Sequence, residues 1–225
     1  MIESTPNIDA ADDGDMGAIM GAWLKTYIRE NLDDMLPAKV ISYDDATNRA
    51  TVQPLIMVGT TDGQKISRAG VFGVPVFRFG GGGFFMRFPI KPGDFGWLKA
   101  NDRDTSLMFQ RGGLEDWPNT ERLHSFSDAM FFPDSLKGWA ISGANANALV
   151  LQSLDGTVCL SMHAGKVAID APLIEINGNV AITGDLVVTG DTGIGGALSN
   201  NGMNVGFSHV HGGVQTGSGN TGTPI

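Results

Sequence analysis

Apolar and polar positions alternate along this chain with three different periods, and the changes of period divide it into parts. From Met16 the apolar residues Met16, Ile19, Met20, Trp23, Leu24, Tyr27, Ile28, Leu32 and Met35 recur at steps of three and four, with Lys25, Arg29 and Glu30 between them. That spacing gathers one broad apolar stripe on a helix. Asp15 stands where an N-cap belongs, with Asp12 and Asp13 as alternatives, and Pro37 is expected to end the helix. A stripe so broad has to be covered, by the chain's own domain or by neighbouring copies. A membrane-surface helix is the alternative, and it is disfavoured by a polar face on which acids and bases nearly balance.

From Ala38 the period switches to two. Alternating runs at Lys39 to Tyr43, Ala50 to Met57, Val71 to Phe79, Phe84 to Phe88 and Phe95 to Ala100 are separated by turn chemistry at Asp44 to Asn48, Asp62-Gly63, Gly80 to Gly83 and Pro92-Gly93-Asp94. These short strands predict a small closed β-barrel of the oligonucleotide/oligosaccharide-binding (OB) type. Residues 101–138, broken by Gly112-Gly113, Trp117-Pro118 and Phe132-Pro133, read as closing loops and a connection outward. His124 stands alone there and is assigned a structural role.

The third period is six. Looser alternation from Ala148 to Ile169 passes, after Pro172, into Leu173–Gly178, Asn179–Gly184, Asp185–Gly190 and Asp191–Gly196, each unit ending in glycine. Ile174/Ile176, Val180/Ile182, Leu186/Val188 and Thr192/Ile194 occupy the same phases. A short fixed β period marks a β-helix or β-prism, and two inward side chains per repeat are too few to enclose a core in one chain. Three chains wound together would share an apolar axis, so a homotrimer is expected. A single-chain parallel β-helix is the rival, with too few coils here to bury its ends. The expected fold is thus mainly β: residues 1–36 an N-terminal arm with an amphipathic helix, 37–138 an OB-type barrel, 139–200 an intertwined trimeric β-helix or β-prism shaft, and 201–225 an apex.

Charge removes several functions. The net charge is -9 and charged residues make up 17% of the chain, a poor basis for neutralising phosphates, so no nucleic-acid partner is expected. Phe72, Phe77, Phe79, Phe84, Phe85 and Phe88 could stack bases. Acids and bases nearly balance over residues 37–138, however, and the phenylalanines are assigned to the barrel core and a subunit interface. The run Gly80 to Gly83 lacks the Gly-Lys-Ser/Thr ending of a phosphate loop and suits a hairpin tip. Cys159 lies in an apolar alternation and is expected to be buried. No nucleophile elbow, zincin helix or kinase set is present, and the glutamates beyond the arm are Glu115, Glu121 and Glu175. A non-enzymatic role follows, with a tail-associated cell-wall hydrolase or a sugar-binding barrel module as alternatives. The chain holds no apolar run of roughly 18 residues and no signal-peptide pattern at its start, so assembly in the cytoplasm is expected.

The C-terminal stretch carries the remaining chemistry. From Thr192 to the end there is no Lys, Arg, Asp or Glu. An ionised side chain at the centre of a bilayer costs about 2.5–3.5 kcal/mol or more, so an uncharged point suits entry into a membrane. Within it stand His209 and His211, which leave the same face if the segment is extended. One chain offers half a metal site. Three chains around one axis would offer six imidazole nitrogens, an octahedral set. Zinc prefers four ligands, whereas iron, nickel or cobalt suit six, and availability favours iron.

Four stretches together resemble the central spike of contractile-tailed phage baseplates: Leu36 to Val40 with Ala50 to Pro54; Phe84 to Gly96 with Phe88-Pro89-Ile90 and Pro92-Gly93-Asp94; Leu123-His124-Ser125 with Asp128-Ala129; and the tip from Ser208-His209, with its His-x-His-Gly-Gly-Val-Gln run. The resemblance implies a homotrimer in the virion, at the distal end of the tail tube. Its OB barrel would dock on the tail hub, and its β-helical shaft would end in an apex binding iron through His209 and His211 of each chain. The spike would pierce the host outer membrane when the sheath contracts. The helix before residue 36 falls outside the resemblance.

Overall fold

A computed structural model describes residues 16–60, 62–136, 138–209, 213 and 217. It divides into two compact units, one running to Leu173 and one from Ile174. The first begins with helix α1 (Met16–Asn31). Asp15, the expected cap, lies outside the described residues. The helix stops well before Pro37, which lies instead within strand β1 (Met35–Asp44). Proline is tolerated there because the ladder needs only its carbonyl, which accepts the Leu55 N–H at 2.9 Å. A three-residue linker joins helix to strand, and the barrel holds it. The Asp33 N–H donates to the His124 carbonyl (2.8 Å), the Ala100 N–H donates to the Asp34 carbonyl (2.8 Å), and Lys99 pairs with the Asp34 carboxylate.

The barrel is built from β1, β2 (Arg49–Pro54), then, after the small hairpin β3 (Val58–Gly59) and β4 (Lys65–Ile66), from β5 (Val71–Pro75). A second small hairpin, β6 (Gly80–Gly81) and β7 (Phe84–Phe85), precedes β8 (Phe95–Arg103). The short helix α2 (Ser106–Gln110) then leads to β9 (Leu123–Pro133). The sheet order is β5-β2-β1-β8-β9, with every neighbouring pair antiparallel. The outer strands meet through a parallel bridge between Val76 and Phe131, and the Phe77 N–H donates to the Phe131 carbonyl at 2.8 Å. The result is a nearly closed barrel that fits the OB type.

The expected barrel is therefore present with one strand exchanged. Phe84 to Phe88, read as a barrel strand, is mostly the far arm of the small hairpin. Its tip, Gly82 (φ 59°) and Gly83 (φ 85°), has both central residues in the left-handed region, as a type I′ turn requires. The fifth barrel strand is β9, in the region read as loops. Its period of two breaks where the register shifts opposite Lys99 and Asn101: Lys99 faces Met130 while Asn101 faces Ser125. That bulge turns both Asp128 and Ala129 inward.

The core is small and mostly aliphatic: Ala38, Val40, Ala50, Val52, Val74, Val76, Leu98, Ala100 and Ala129, closed by Phe126 and Phe131. Of the six phenylalanines assigned from sequence to the barrel core and a subunit interface, none joins this core, although Phe77 is half-buried and stacked on Phe132; the others lie outward. Phe72 is 79% exposed and Phe84 83%, and Phe79, Phe85 and Phe88 also lie open. A barrel this narrow takes Val and Ala on its inward phases and has room for few large rings. Phe131 obtains its place because Gly96 stands beside it, where a β-carbon would collide with the Phe131 ring and the Phe132 carbonyl.

The excursion between β8 and β9 is tied down by one arginine. Arg122 Nε donates to Asp128 Oδ2 (3.0 Å), and Nη2 donates to Asp128 Oδ1 (3.2 Å) and Asp104 Oδ2 (3.1 Å). Both carboxylates are buried. Ser106, whose N–H donates to Asp104 Oδ1 at 2.9 Å, then the Thr120 hydroxyl at 2.8 Å and Arg122, hold the Asp104 carboxyl well below the usual carboxylate range.

Beyond the barrel, β10 (Leu149–Gln152), β11 (Cys159–Met162) and β12 (Val167–Asp170) form an antiparallel sheet. Leu149, Met162 and Val167 line up across it, as do Leu151, Leu160 and Ile169. These six side chains share one face, and all but the half-buried Leu160 are exposed. The other face carries Cys159 and Ser161, both buried, so the expected burial of the cysteine is borne out.

In the second unit the hexad repeat forms no strand from Ile174 to Gly196, and none of its backbone groups is paired with another among the described residues. Ile174, Ile176, Val180, Ile182, Leu186, Val188 and Ile194 are all at least half exposed. Order returns in a hairpin of β13 (Ser199–Asn200) and β14 (Met203–Asn204). No helix among the described residues is long and apolar enough to cross a membrane.

Two outcomes are expected from the barrel. Gly96→Ala should lower stability by about 3 kcal/mol, at the top of the overpacking range or beyond it, read as a fall in the urea midpoint of the barrel's transition. Because the folded Asp104 pKa is depressed, its contribution is present above the unfolded value of about 3.9 and is lost as pH falls below it. Urea midpoints measured downward from pH 5 should therefore fall, and Asp104→Asn should flatten that acid slope while lowering stability at pH 7.

Candidate metal centre and assembly surfaces

The apex is positioned by the hairpin that precedes it. Asn201 (φ 49°) and Gly202 (φ 78°) both take left-handed backbone angles, the type I′ geometry that an Asn-Gly pair favours. Ser199 then pairs with Asn204 and Asn200 with Met203, and the Val205 N–H donates to the Leu198 carbonyl at 2.9 Å. Past the hairpin the chain turns under the control of one side chain. Asn204 Oδ1 accepts the Gly206 N–H (2.9 Å), and Asn204 Nδ2 donates to Ser208 Oγ (2.9 Å).

The Gly206 carbonyl, fixed by that turn, receives His209 twice. The His209 N–H reaches it at 3.1 Å and ring Nδ1 at 2.6 Å. A carbonyl can only accept, so Nδ1 carries the proton and the lone pair of the neutral imidazole sits on Nε2. This is the arrangement of a ligating histidine, whose second ring nitrogen is anchored by donating to a carbonyl or carboxylate. His209 therefore fits a metal-binding role by its own chemistry. His211, the other expected ligand, lies outside the described residues. Among the described residues no group of three or more His, Cys, Asp or Glu is gathered tightly enough to hold a metal. A single chain holds His209 Nδ1 against the Gly206 carbonyl and gathers no metal site by itself among the described residues.

His124 is engaged structurally, as expected from sequence. Its Nε2 lies 3.1 Å from Asp102 Oδ1, its φ is 45°, and its carbonyl anchors Asp33. The remaining polar cluster fixes the glycine hairpin to the barrel. Asp45 accepts from Tyr43 Oη (2.9 Å), Arg78 Nη2 (2.9 Å) and Arg87 Nε (2.8 Å), and Arg87 and Tyr43 bring its pKa down to about 2. Sequence reading passed over Asn204 and Gly206; the Asn201-Gly202 pair was the available signal, since it marks a hairpin that has to aim whatever follows.

Among the described residues of the first unit, apolar side chains lie open along the α1 stripe from Met16 to Ile28, at the outward phenylalanines of the barrel and on the shared face of β10 to β12; in the second unit the hexad side chains are open as well. Areas of this kind mark contact with other chains. A β-barrel joined to a long unpaired β repeat and a histidine-bearing tip defines a structural assembly component. Residues 36–134 match the family described as the phage protein Gp138 N-terminal domain, and residues 207–224 match the GpV Apex motif. Curated proteins give no match to the chain. Both matched regions are features of the phage baseplate central spike, one towards each end of this chain, and together they support a phage spike protein.

Proposed function

We propose that this chain forms the homotrimeric central spike at the distal end of a contractile phage tail tube and pierces the host outer membrane when the sheath contracts. The observation that supports this most directly is the hexad segment. Backbone donors and acceptors from Ile174 to Gly196 meet no partner among the described residues, and the apolar pairs beside them lie open. Buried backbone groups are nearly always paired, and apolar β faces are covered in the assembled state. Three copies wound about one axis supply both, each strand pairing with a neighbour and each Ile/Val pair facing inward. The apolar face of β10 to β12 calls for the same solution.

At the tip, His209 and His211 of three chains would hold one iron ion in an octahedral set, and the neutral imidazoles would add no charge to the point. The ion would supply a structural clamp where the chain ends would otherwise fray. The barrel would sit on the tail hub, with the exposed α1 stripe as the additional contact: its root is held to the barrel through Asp33 and Asp34, so the stripe is presented at a defined place. No step of this function requires catalysis. The sheath supplies the work, and the spike transmits it through a narrow uncharged point. Such a protein belongs in the virion and is assembled in the host cytoplasm.

Light scattering of the purified full chain should give three times the chain mass. Ile182→Asp, which would place three carboxylates together at the axis, should shift the population towards smaller species, while a monomeric wild type would refute the intertwined shaft. Elemental analysis should find about one iron per three chains. The double variant His209→Ala, His211→Ala should lose that iron and remain trimeric, because most of the apolar area to be buried lies in the repeats. Full metal retention in the double variant would overturn the assignment of the site.

A further inference from the structure

We propose that Asn204 is the positioning residue of the apex: acting through Gly206, it sets the tautomer and direction of the His209 ring. The inference rests on the reading of His209 as a metal ligand and extends it to a residue outside the His-x-His motif. It begins with a relay. Asn204 is the last residue of the hairpin strand β14, so its backbone is fixed by the pairing with Ser199 and by the type I′ turn at Asn201-Gly202. Its side-chain oxygen takes the Gly206 N–H, and its side-chain nitrogen takes the Ser208 hydroxyl. One amide therefore holds the Gly206 N–H on one side of Phe207 and the Ser208 hydroxyl on the other. The carbonyl of Gly206, thus oriented, is the acceptor to which His209 Nδ1 donates at 2.6 Å.

The chemistry makes that last bond consequential. A free neutral imidazole interconverts between two tautomers, and only one has its lone pair on the nitrogen that points away from the main-chain anchor. Fixing Nδ1–H leaves the lone pair on Nε2 before any metal arrives, so less ordering remains to be done on binding. Outer partners of this kind typically change metal affinity by about 10- to 100-fold. Threefold repetition would apply the effect once per chain.

Phe207 belongs to the same argument. Its side chain is wholly exposed, so no packing of that residue holds the turn. Among the described contacts, the two Asn204 hydrogen bonds and the Gly206 carbonyl bonds maintain it. A β-carbon at Gly206 would come within 3.2 Å of Asn204 Oδ1, which shows how closely the amide lies over that peptide.

The test uses the full chain, labelled with 15N-histidine and stripped with chelator. The His209 ring signals are identified by their loss in His209→Gln, and their 15N shifts report the tautomer. Wild type should show Nδ1–H. Asn204→Ala should lose that preference and bind Fe(II) about 10- to 100-fold more weakly in competition with a chelator. Asn204→Asp keeps the acceptor for the Gly206 N–H and should restore both readouts. Light scattering of each variant confirms that the trimer persists, so that a lost tautomer is not the result of a lost fold. A wild-type ring protonated on Nε2, or an Asn204→Ala variant retaining the Nδ1–H form at full affinity, would overturn the proposal alone. A wild type with the Nδ1–H form and no metal uptake would overturn the metal reading and the proposal with it.

Discussion

Between Ile174 and Gly196 every residue offers a backbone donor and acceptor, and among the described residues the chain supplies no strand to receive them. The rest of the architecture follows from that constraint. A segment with β alternation and no partner of its own is either solvated or paired with another copy, and a run of open Ile and Val side chains makes solvation the costlier choice. Glycines closing each hexad permit the corner that such a winding needs, and the units keep the same phase. The barrel is the opposite case. Its strands satisfy one another through the order β5-β2-β1-β8-β9 and the Val76–Phe131 bridge, so it encloses its own core without help.

This contrast explains where the large side chains lie. A self-contained barrel of this width is filled by Val and Ala, with Phe126 and Phe131 closing it. Phe72, Phe79, Phe84, Phe85 and Phe88 are turned outward and, like the α1 stripe and the face of β10 to β12, are left open by the described residues. Chemistry is scarce by comparison: the buried carboxylates Asp104 and Asp128 are both engaged by Arg122, and His124 is engaged by Asp102.

Periodicity made much of this legible in the sequence and also set its limits. The helix, the first three barrel strands, β8 and the glycine hairpin carried clean signals, because alternation and turn residues report which side chains share a face. Strand β9 carried none, since its bulge puts Asp128 and Ala129 on the same side and breaks the period of two. Pro37 was misleading because a proline can sit in a ladder wherever only its carbonyl is used. The phenylalanines were assigned jointly to the core and a subunit interface because hydrophobicity does not state which chain will bury a residue. At the tip, His209 was visible as a residue type, whereas the Asn204–Gly206–His209 relay has no period at all. It depends on where a turn points two groups, which the Asn201-Gly202 pair hints at without specifying.

The absence of charge after Asp191 puts a further demand on that tip. Strands elsewhere in proteins use opposite charges to fix register and like charges to discourage wrong pairing, and this segment has given up both devices. Register and direction must then come from neutral elements. A type I′ turn fixes one hairpin, a side-chain amide fixes the peptide that follows it, and a neutral imidazole held in one tautomer can bind a cation without adding an anion to the point. A carboxylate site would hold a divalent ion as well but would leave anions on the charge-free stretch whenever the metal was absent. Histidine is thus the nitrogen ligand that could hold a metal without placing an anionic side chain on that stretch.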